Sequence, residues 1–255
     1  MYVFYLKKLL RCPATYAGSV LFFLSIVLSV SETWAARNPT FLYQYAMNLG
    51  ISHFIVPVVT VLPICFVRRE LSRGSTWQFP LLRSSPRRFS TGGLAAACLS
   101  GAFVTVLAYL CFFLTIIVSS GKELSFSNTL VPEGAAFYQG RSYIEITLID
   151  LVGLALMSMI HPAVAYLVSG YSNNQYLCAA FPFILYMFAL FTVQRLGHYL
   201  DKRFLYLDPS KLNPSGSTFT DSKAFPFYVL TYVLTVGLVC GLLFGRRLRR
   251  RLRDG

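Results

Sequence analysis

The chain has 255 residues, of which 55% are hydrophobic and only 13% charged, and its mean hydropathy is +0.57. A soluble globular protein carries about 25% charged residues, so there is too little charge here to coat a water-facing surface, and the composition points to a polytopic membrane protein. The net charge of +13 does not argue for nucleic acid, because the basic residues cluster at the ends of apolar stretches, where a membrane protein places them.

The chain opens with MYVFYLKKLLR. On a helix Lys7, Lys8 and Arg11 share one face, and Tyr2, Tyr5, Leu6, Leu9 and Leu10 share the opposite one; Phe4 breaks the pattern. The spacing predicts an interfacial amphipathic helix over 1–12, lying in the headgroup plane before the chain turns inward at Pro13. A first span is expected over 13–30, with no small-residue cleavage site to mark it as a signal peptide. A second, over 46–67, contains Pro57 and Pro63, which a bundle tolerates if neighbours satisfy the carbonyls that the prolines free.

Residues 68–91 follow, beginning RRELSRGSTWQFPLLRSSPRRF. The arginines at the span ends, Arg68, Arg69, Arg87 and Arg88, suit anionic lipid headgroups, each worth about 1 kcal/mol near the surface. The middle, with Glu70, Arg73, Gly74, Trp77, Phe79 and Leu81 among hydroxyls, has the aromatic anchors and polar frame of a surface that docks another protein. Four more spans are expected, over 92–118, 144–168, 176–193 and 224–244, with an outer loop over 194–223 and a basic tail over 245–255. The third carries Gly93, Ala97 and Gly101 at spacing four, and the sixth carries Gly237, Gly241 and Gly245 in the same way. Such rows let helix backbones approach closely, within one chain or between two copies.

Orientation follows from the cations. With the amino terminus in the cytoplasm, the inner segments hold 15 of the 23 Lys and Arg residues, so both termini are expected inside. The inner segment 169–175 contributes none of them, while the outer loop 194–223 carries five.

No catalytic residue set is predicted. Glu145, Asp150 and His161 fall in or near the fourth span, and an intramembrane charge is a functional candidate by default. Glu145 and Asp150 stand about 140° apart round a helix, too far for a paired-carboxylate site, and both lie towards the outer end, which suits a pathway or a pore rim. His161 precedes Pro162 and follows Ser158, which suggests a local hydrogen bond. No metal site is expected, since the six cysteines are scattered singly without a C-x-x-C pair. There is no G-x-x-x-x-G-K-[ST] loop, so ATP is not bound by that route. An inverted pair of broken helices with midplane charges, the mark of many secondary transporters, is not seen either.

The basic amphipathic start, two spans and then E-L-S-R-G-S-T…L-L-R-S-S-P-R-R-F resemble the membrane subunit of ABC transporters of the type-2 exporter permease family. The matching residues are Glu70, Gly74, Ser75, Thr76, Leu81, Leu82, Ser85 and Pro86. The motif covers about 25 residues, and the six-span layout covers the chain. The resemblance implies an all-α permease with a cytoplasmic coupling helix seated in an ATPase subunit, with Glu70, Arg73, Gly74, Trp77, Phe79 and Leu81 in contact. It implies a second permease subunit, the same or homologous, and ATP and Mg bound in the partner ATPase rather than in this chain. The expected location is a cell membrane, in a bacterium, with export of a peptide, drug, lipid or glycan. The alternatives are an intramembrane enzyme using Glu145, Asp150 or His161, and a non-transporting membrane anchor or immunity protein.

Overall fold

The computed structural model describes residues 2–31, 50–73, 85–120, 143–172, 174–201, 207 and 224–254. Among these the elements are α1 (Tyr2–Leu10), α2 (Pro13–Val30), α3 (Gly50–Val59), α4 (Leu62–Arg73), α5 (Pro86–Ser120), α6 (Tyr143–Ser158), α7 (Ile160–Ser169), α8 (Gln175–Tyr199) and α9 (Ala224–Asp254). No strand occurs among the described residues. Among the described residues five stretches are long and apolar enough to cross a membrane: Pro13–Val30, Arg88–Ser119, Leu151–Ser169, Gln175–Tyr199 and Phe227–Arg250. The apolar stretch of the expected second span, Phe54–Val67, is shorter and is divided by a turn at Thr60 and Val61.

Helices run further than hydropathy alone predicts. α5 begins at Pro86 rather than 92, α8 reaches Tyr199 and α9 continues to Asp254. The 35 residues of α5 and 31 of α9 span roughly 52 and 46 Å at 1.5 Å per residue, well beyond a hydrocarbon layer of about 30 Å. The overhang is polar, so hydropathy cannot see it, yet straight-chain arginines are good helix formers. Ser85 starts α5 as an N-cap: its hydroxyl accepts the Arg88 amide at 3.4 Å, and Pro86 takes the first helical position, where its missing N–H costs nothing.

α7 is the inner element. His161 to Tyr166, Val168 and Ser169 are all buried, and α4, α5, α8 and α9 pack on it. Hydroxyls in these apolar surroundings turn back on their own helices: Ser19, Thr60 and Thr105 each donate to the carbonyl four residues earlier, at 3.1, 2.6 and 3.2 Å.

α1 docks on protein with part of its apolar face. Tyr5 and Leu9 are buried in a cluster with Val67, Phe89, Tyr166, Phe244 and Leu248, and the Tyr5 and Phe89 rings meet edge to face at 5.6 Å. The corner into α2 is fixed by the buried Thr15, whose hydroxyl donates to the Leu9 carbonyl at 2.5 Å. Val3 and Phe4 remain exposed on α1.

The glycine rows divide. On α5, a Cβ at Gly93 would collide with the Tyr166 ring, and one at Gly101 would stand 2.8 Å from the Ser158 carbonyl oxygen; Ala97 is fully buried. That row is the seat of α7 and the end of α6. On α9, Gly241 faces Leu94 and Gly245 faces Ser90 of α5, while Gly237 has open space. Both rows are therefore used within one chain.

Candidate functional site

Two places combine polar or charged groups with unusual backbone. The first is the basic end of the bundle. α4 runs from Leu62 to Arg73 as one helix, with Ile64 and Val67 buried in the cluster that holds Tyr5, Phe89 and Leu248. Glu70 and Arg73 therefore lie on the last turns of α4, though their side chains are outside the described residues. Gly74, Trp77, Phe79 and Leu81 also lie outside them. Of the expected segment 68–91, the first six residues continue α4 and the last six belong to α5, so the two helices bracket the part that carries the aromatic residues. Lys7 on α1, Arg11 in the turn after it, Arg88 on α5 and Arg246, Arg249, Arg250 and Arg253 on α9 are exposed at this same end.

The short connection 170–174 has no cation of its own. The fold brings one to it: the Arg247 guanidinium of α9 lies over the Tyr171 ring, 5.5 Å from its centroid. A count of charges along the chain misses this pairing because the two residues are 76 positions apart in the sequence.

The second place is the break between α6 and α7 at Met159. Pro162 has no N–H to offer the Ser158 carbonyl four residues back, and that carbonyl presses against Gly101 of α5. The Ser158 hydroxyl donates to the Ala155 carbonyl at 2.7 Å, not to His161. His161 is 2% exposed, its Nε2 has no hydrogen-bond partner, and its ring meets Tyr186 of α8 edge on at 5.3 Å. The expected local hydrogen bond is thus not made. Glu145 is exposed in the first turn of α6, and Asp150 lies on the same helix with its side chain outside the described residues. Glu145 is sixteen residues before His161, about 24 Å along a helix, so the structure does not bring these two together.

Four cysteines also converge. Cys178 and Cys240 are buried against Val164 and Val168 of α7, with Cys65 and Cys98 packed alongside. Each comes from a different helix, and none is in a disulfide; they act as small apolar packing groups. Among the described residues no group of three or more His, Cys, Asp or Glu is placed to hold a metal ion.

Comparison with protein-family models, curated proteins and solved structures finds no match to this chain. The functional reading therefore rests on its own residues.

Proposed function

We propose that the chain is the permease subunit of an ABC exporter, moved by a separate ATPase subunit that grips the segment between α4 and α5. The observation that carries this reading is the unbroken course of α4. A push on residues beyond Arg73 acts on a helix whose other end, Ile64 and Val67, is clamped among α1, α5 and α9. Such a rod passes displacement into the bundle, where a loose loop would absorb it. The crowded cations fit a cytoplasmic surface, and this supports a reading in which both ends of the described chain face the cytoplasm. Two copies, or two related chains, enclose the pathway, and ATP and Mg are bound by the partner.

The test is purification of the chain from its native membrane with whatever nucleotide-hydrolysing subunit it holds, followed by reconstitution in vesicles. Replacing Glu70 and Arg73 together by alanine is expected to abolish stimulation of ATP hydrolysis while insertion persists. A chain that works with no such subunit, or a double variant with undiminished transport, refutes the reading.

A second reading has one observation in its favour. His161 places an imidazole nitrogen without a partner in the buried centre of the bundle, where polar groups mark chemistry or a substrate path. An intramembrane enzyme predicts loss of activity in His161→Ala with any ATPase contact intact.

A further inference from the structure

α8 and α9 each pack on α7 and meet over it through side chains, Tyr186 with Val229 in one cluster and Cys178 with Cys240 in another, so they flank it as two outer walls. At the basic end of this seam lies Tyr171, half exposed, under the guanidinium of Arg247. Arg247 differs from its neighbours. Arg246, Arg249, Arg250 and Arg253 are exposed, and Arg249 spends its Nε–H on the Gly245 carbonyl at 3.3 Å. The Arg247 Nε is buried and has no hydrogen-bond acceptor among the described residues. A buried Nε–H without an acceptor, on a cation held by a ring, favours an anionic acceptor.

The surroundings say what kind of anion. One and two turns before Arg247, on the same helical face, Leu243 and Val239 are 37% and 48% exposed. On the first turns of α8, Leu177 and Phe181 are exposed as well. Arg250 follows Arg247 by one turn and Arg246 adjoins it. A cationic fork with an aromatic neighbour, set at the end of an apolar wall, matches a phosphate joined to hydrocarbon chains. A free phosphate would use the fork and leave the wall unused; an acidic protein segment would not follow the apolar face into the membrane.

We propose that Arg247, Tyr171 and the adjoining faces of α8 and α9 seat one anionic phospholipid. Its phosphate accepts from Arg247, with Arg246 and Arg250 adding positive potential, and its acyl chains lie along Leu243, Val239 and Leu177. The site goes beyond the permease reading and requires only that the bundle sits in a bilayer.

The experiment uses the full chain in nanodiscs of mixed phosphatidylglycerol and phosphatidylcholine, transferred to detergent, with retained lipid identified by mass spectrometry. The wild-type chain is expected to keep phosphatidylglycerol selectively. Arg247→Gln lowers the retained ratio about fivefold, the effect of removing one near-surface cation, and Arg253→Gln leaves it unchanged. If Arg247→Gln does not accumulate as folded protein, Tyr171→Leu carries the same test, with a loss of about threefold for the missing cation–ring contact. Equal retention of the two lipids, equal loss in Arg253→Gln, or release of the lipid by millimolar inorganic phosphate overturns the proposal; the last outcome assigns the fork to a soluble anion instead.

Discussion

The two interrupted helices are built alike and end differently. In α3–α4 the proline is Pro63, the carbonyl it leaves without a donor is that of Val59, and a Cβ at Gly18 of α2 would stand 2.9 Å from that oxygen. In α6–α7 the corresponding three are Pro162, Ser158 and Gly101 of α5. Each break is thus held against the backbone of a straight neighbour that has no side chain at the point of contact. Both lower halves run toward the same end, where Val67 of α4 and Tyr166 of α7 join one cluster, and they pack on each other. The breaks are parallel, not inverted, so they do not restore the two-fold arrangement of many secondary transporters. Beyond this the pair diverges. The lower half of the first leaves the cluster as a helix bound for Arg73; the second stops at Gly170, against the Phe244 ring. One half continues past the shared cluster, and the other ends within the bundle with His161 at its head.

The widest separation between the two breaks comes from filling their seats. Gly101→Leu drives a side chain into the Ser158 carbonyl and the Pro162 ring, and is expected to cost about 3 kcal/mol, the upper part of the overpacking range. Gly18→Leu is expected to cost about as much, and thermal unfolding in detergent measures both. If only one of them is destabilised, the two breaks are not built on the same principle. A smaller effect sharpens the difference in polarity. His161→Leu removes a buried group with no partner at Nε2, so the chain is expected to become more stable by about 1 kcal/mol; a clear loss of stability shows that the imidazole is held by an acceptor or donor in the membrane. The smallest effects come from the first break and from the bare position on α9. Thr60→Val deletes a hydroxyl that donates to the Val56 carbonyl at 2.6 Å, which the Thr60 amide also reaches at 3.2 Å, so the change is expected to stay under about 1 kcal/mol. Gly237→Leu, which points at open space, should fall within about 0.5 kcal/mol of the parent.

Hydropathy and small-residue spacing made the helical membrane class and most of the apolar stretches legible. The prolines at 57, 63 and 162 were visible too, but not which carbonyl each would leave or what would meet it, because that depends on helices far away in the chain. The two glycine rows show the same limit. Their spacing is identical, yet on α5 the row seats α7 along its length while on α9 one position is bare; rotation of a helix in its bundle is set by packing, not by periodicity. The Ser-Pro pair of the family-like motif has a local role as the start of α5. In the sequence Arg247 is one of six cations in the segment 245–255, and nothing in an arginine run marks which member turns inward.

The cluster around Phe89 joins α1, which precedes the described spans, to the last turns of α9, which is made after α8. During synthesis Tyr5 and Leu9 reach the membrane long before Leu248 exists to share their cluster. The ribosome must deliver the whole intervening chain before this closure can form, so the half-made protein shows its insertion machinery a bare greasy knot. Any quality control that watches for such a knot reads, in effect, whether α9 has been made.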